Sequence, residues 1–133
     1  MGLLDRLRRK KKGQKDTLKE ETAITDLEKL CADDKESYEA LRGIMFLDPR
    51  KIETPLTDVV KTAEESEKQG DTLKAKISYE IAGGLAIYKG DAAKVKEYFE
   101  KCQKLSPNTV YPILRNPRKA VKKAQEYYQK YLA

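Results

Sequence analysis

Two groups of residues in this chain could carry chemistry: thiols and carboxylate pairs, and a basic run set beside leucines. The first group fails on spacing. Cys31 and Cys102 form no paired-cysteine or metal-ligand pattern. Asp33-Asp34 and Glu64-Glu65 are adjacent pairs, and neighbours on a helix point apart instead of sharing a substrate. The chain has no histidine, which removes the commonest general base and metal ligand. It also has no Gly-x-Ser-x-Gly and no phosphate-cradling glycine loop. These residues read as caps, solvated faces and small buried hydrophobes, so no enzyme and no cofactor is expected. Two unpaired cysteines at apolar helical positions suit a reducing, cytoplasmic setting.

The second group is sharper. Leu3, Leu4 and Leu7 share one helical face, and Arg6, Arg8, Arg9, Lys10, Lys11 and Lys12 crowd beside them. A short apolar face next to a polybasic run has the composition of a peripheral membrane anchor. Each Lys or Arg contributes about 1 kcal/mol near an anionic surface, and buried leucines add ~25 cal/mol per Å². Reversible attachment to an anionic membrane, at its inner face, is therefore expected. The run is not a signal peptide, because no apolar stretch follows the charges. Nor does it suit myristoylation, since Arg6 stands where Ser or Thr is required. The rival readings are a solvated end and a nucleic-acid or ribosome contact, because a K/R-rich segment also neutralises phosphates. The leucines separate them: phosphate binding gains little from an apolar triplet.

Charge is segregated along the rest of the chain. Residues 1–15 carry a net +6, residues 16–100 a net −7 and residues 101–133 a net +7. The C-terminal zone places Lys119, Lys122 and Lys123 with Tyr127 on a basic helix. That helix is either a solvated cap or a surface for an acidic partner or RNA. No recognised nucleic-acid signature accompanies it.

The elements that position these residues are helical. Apolar residues recur at three and four throughout, and no segment alternates as a strand would. Ile24, Leu27 and Cys31 suggest a first helix from about Thr17. Tyr38, Leu41, Ile44 and Met45 form a second stripe that runs toward Asp48-Pro49. Thr54-Pro55 reads as a cap with proline at the first helical position, followed by Leu56, Val59, Val60 and Ala63. Gly70-Asp71 and Gly90-Asp91 each offer a left-handed stop and a cap. Between them lie two stripes: Leu73, Ile77, Ile81, Leu85 and Tyr88 on one face, and Ala75, Tyr79, Ala82 and Ala86 on the other. Helices apolar on two faces are central ones. Asn116-Pro117 opens the last helix, with Val121, Ala124, Tyr128 and Tyr131 facing inward.

The order Tyr79-x-x-Ala82-Gly83-x-x-Ala86, Gly90-Asp91, Val95-x-x-x-Phe99 and Pro107 resembles a tetratricopeptide (TPR) repeat over residues 76–109. Tyr79 takes the large aromatic of the first helix, Gly83 the close-packing glycine, Phe99 the second helix's aromatic and Pro107 the closing proline. Ala82, Ala86 and Val95 depart from the usual leucine, tyrosine and alanine. The resemblance implies an all-α fold of antiparallel hairpins, stacked as a short bundle of five or six helices with a C-terminal capping helix. The resemblance also implies an adaptor that binds another protein or peptide segment, with Lys76 and Glu80 contributing to the groove. Residues 1–16 are expected as a flexible basic tail, because three leucines do not offset the ordering entropy and the charge repulsion, and residues 17–133 as one domain. RNA or ribosome association through both basic ends is the alternative.

Overall fold

The two Gly-Asp pairs set the frame. Gly70 and Gly90 adopt positive φ, +78° and +76°, a conformation that costs a side-chain-bearing residue about 1–2 kcal/mol. Each aspartate then caps the next helix: Asp71 accepts from the Lys74 amide and Asp91 from the Lys94 amide, at 3.2 and 3.1 Å. Between and beyond these turns lie α3 (Leu56–Lys68), α4 (Thr72–Lys89) and α5 (Ala92–Leu105). The computed structural model describes residues 26–132. It begins with helical residues 26–30 (α1) and α2 (Lys35–Leu41), and closes with α6 (Pro117–Tyr131). Short 3-10 turns stand at Pro49–Lys51 and Pro112–Arg115. No strand occurs among the described residues.

Two boundaries differ from the sequence pattern. The stripe expected to run to Asp48-Pro49 is helical only to Leu41, because Arg42 turns extended and Gly43 takes φ +84°. Met45 still reaches the core from the loop that follows. Thr54-Pro55 is displaced by one residue. Pro55 has extended ψ and is itself the N-cap, without a side-chain cap bond. Asn116-Pro117 does open α6, with Asn116 Oδ1 accepting from the Lys119 amide at 3.3 Å.

α4 is the central element, packed between α3 and α5. Its Ala75, Tyr79, Ala82 and Ala86 are fully buried, as are Val95 and Phe99 opposite. Gly83 lets the helices meet: a Cβ there would stand 2.5 Å from Phe99 Cε2. Gly84 does the same for the Phe46 ring, which lies where its side chain would be. Ile81 and Leu105 are half-buried against this core.

The expectation of two buried faces on α4 is corrected. Leu85 is buried, but Leu73, Ile77 and Tyr88 are exposed. The loop carrying Ile44 and Phe46 reaches α4 at Ile77, Ile81 and Gly84, and leaves the first turns uncovered.

α6 packs against α2, α4 and α5 together, so it ties the chain's two halves instead of covering the last pair of helices alone. Tyr128 Oη donates to the Phe46 carbonyl at 2.7 Å. Gln125 Nε2 donates to the Ile87 and Tyr88 carbonyls at 2.8 and 2.9 Å, at the C-terminal end of α4, where the Ile87 carbonyl also accepts from the Gly90 amide at 3.1 Å. Among the described residues no helix is long and apolar enough to cross a membrane.

Candidate functional site

The uncovered first half of α4 is built from a simple register. Asp71 fixes where the helix begins, and four-residue spacing then aligns Leu73, Ile77 and Ile81 on one face. Lys76 and Glu80 run beside them, with Nζ and Oε1 4.0 Å apart. Leu73 is 67% and Ile77 48% exposed, an arrangement water disfavours. Ile77, Glu80 and Ile81 form one wall of a depression of about 210 Å³, and Gly43, Ile44 and Phe46 form the other. Apolar floor and walls with a single carboxylate at the edge suit an inserted aliphatic side chain that has a donor next to it.

Beneath this face the chemistry is muted. Cys102 Sγ lies 3.7 Å from the Lys76 carbonyl, and burial pushes its thiol up to about 12. At neutral pH it stays protonated and is no nucleophile. Burial likewise raises the Tyr111 hydroxyl, which makes no hydrogen bond. Among the described residues no group of His, Cys, Asp and Glu could hold a metal ion.

The structure brings Lys76 and Glu80 together at this site, while the expected C-terminal surface is dispersed. Tyr127 is buried in the core and stacks on Tyr131 at 4.7 Å, so its ring is not open to a partner. Lys119 pairs with Asp34 at 2.9 Å and Glu36 at 3.7 Å. Lys123 pairs with Asp33 at 3.7 Å and Glu126 at 3.4 Å. Only Lys122 of that set is exposed without an ion pair among the described residues. Leu3, Leu4, Leu7, Arg6, Arg8, Arg9 and Lys10–Lys12 lie outside the described residues. Leu73 and Ile77 are the site residues that sequence reasoning assigned to the core. The available signal was that Leu73 stands between Thr72 and Lys74, next to a turn.

The described residues thus define an all-α protein with an exposed apolar surface on α4. No protein-family model, curated protein or solved structure matches this chain.

Proposed function

We propose that this protein is a non-enzymatic adaptor of TPR-like build, which holds a segment of another protein across the outer face of α4. The carrying observation is the exposed Leu73–Ile77 pair continuous with the depression that Glu80 borders. Large aliphatic side chains left in water on a rigid helix, beside a walled hollow, are the anatomy of an interaction surface. The succession α3–α4–α5, with short Gly-Asp turns and glycine contacts, supports the antiparallel stack that the resemblance implies. The partner segment would insert an aliphatic side chain over Ile77 and Ile81 and place a donor against Glu80.

The RNA or ribosome reading draws less support, because Lys119 and Lys123 spend their charge within the molecule. Site-directed photo-crosslinking tests the proposal. A photoreactive side chain at position 73 should give discrete adducts with a protein partner. The same group at the exposed Lys61 of α3 should not. Equal labelling from both positions would contradict a dedicated face.

A further inference from the structure

Two further depressions lie apart from the α4 face, on α1 and α2. The first, of about 420 Å³, is walled by Leu27, Tyr38, Leu41, Met45 and Leu47, with Arg42 at its rim. Arg42 sits over the Tyr38 ring, 6.0 Å from its centroid. Tyr38 also borders the second, of about 450 Å³, which is lined by Glu28, Lys35 and Glu39 among others. An apolar slot therefore continues into an acidic shelf. Residues 26–42 as a whole carry six acidic and three basic side chains.

We propose that residues 1–12 of the same chain occupy these two depressions. Leu3, Leu4 and Leu7 fill the slot, and Arg8 to Lys12 lie along Glu28 and Glu39. The match is one of pattern as well as sign. The tail has its only acidic residue, Asp5, among its leucines, and the slot has its only charged residue, Arg42, at its rim. The basic run follows the leucines as the acidic shelf follows the slot. Reach is ample: residues 13–25 span at most about 45 Å when extended, and the described chain begins one residue before Leu27. Because the segment is tethered, an intrinsic affinity in the millimolar range is enough to keep it docked. A docked segment would replace the flexible tail expected from the sequence, because an apolar slot lies beside the first described residues.

Methyl NMR of the full chain, of a variant lacking residues 1–12, and of the Leu3→Ser/Leu4→Ser/Leu7→Ser variant tests this. The methyl resonances of Leu27, Leu41, Met45 and Leu47 should differ between the full chain and the truncation. They should be independent of protein concentration. The serine variant, which keeps every charge and the whole chain, should reproduce the truncated spectrum. A synthetic peptide of residues 1–12 added to the truncated protein should move the same resonances back. Superimposable spectra from the full chain and the serine variant would overturn the proposal. So would shifts that vanish on dilution, since a second copy would then fill the slot. Peptide-induced shifts confined to the acidic α3 would overturn it as well.

Discussion

Gly83 has no side chain because the Phe99 ring occupies the place where one would stand. Gly83→Leu should therefore destabilise by about 3 kcal/mol through overpacking, read from urea midpoints. Gly70 tests the other glycine role. A Cβ there meets nothing within 4 Å, so Gly70→Ala should cost only the left-handed backbone strain of about 1–2 kcal/mol. If the two costs were equal, close packing at Gly83 would not be the reason for its glycine. The thiols give a chemical check at the same scale. Burial raises both Cys31 and Cys102, the latter to about 12. Neither should react with a thiol reagent at pH 7 until the protein is denatured, and rapid labelling of the native protein would contradict the packing described.

Asp34 supplies a pH dependence of definite sign. The Ser37 hydroxyl, 2.6 Å from Oδ2, and then Lys119 hold its carboxyl down to about 2. A depressed carboxylate stabilises above its unfolded pKa of about 3.9, and that contribution fades as pH falls from about 4 through 2. Ser37→Ala should thus lower stability at pH 7 and leave a smaller further loss between pH 4 and 2 than the parent shows. Parallel losses in parent and variant would remove Asp34 from the account.

At the scale of elements, α6 holds the bundle together through specific polar contacts as well as its apolar stripe. Tyr128→Phe removes only the bond to the Phe46 carbonyl and should cost about 1 kcal/mol. Phe46 belongs to the loop that packs on Gly84. The loss should therefore also quicken amide exchange around residues 43–47, and unchanged exchange there would separate α6 from that loop. Most elements were legible because their ends carry chemistry: Gly-Asp turns at 70 and 90, Asn116-Pro117 at the start of α6. The end of α2 was not, since Tyr38, Leu41, Ile44 and Met45 keep helical spacing although Gly43 breaks the helix between them. A periodic stripe records which residues are apolar. It does not record what covers them, and for that reason Leu73 and Ile77 were read as core.

At the scale of the whole molecule, the segregated charge closes on itself. Lys119 and Lys123 of the basic C-terminal third meet Asp34, Glu36 and Asp33 of the acidic middle. The sequence exposed the segregation but not the pairing, because the contacts join segments more than eighty residues apart. Of the candidate site, the TPR resemblance singles out Lys76 and Glu80, whose Nζ and Oε1 the structure places 4.0 Å apart. The exposed apolar face beside them was legible only from the folded contacts.

The most direct test of the central claim compares the proteins captured by the parent and by a Leu73→Ser/Ile77→Ser variant. These exposed side chains contribute little to the fold, so the melting temperature should stay within a few degrees of the parent's. A defined partner should be retained by the parent at low and high salt, as apolar contact requires, and depleted at least tenfold by the variant. Retention of the same partner by a folded variant, or its loss from the parent as salt rises, would contradict a protein-binding face on α4.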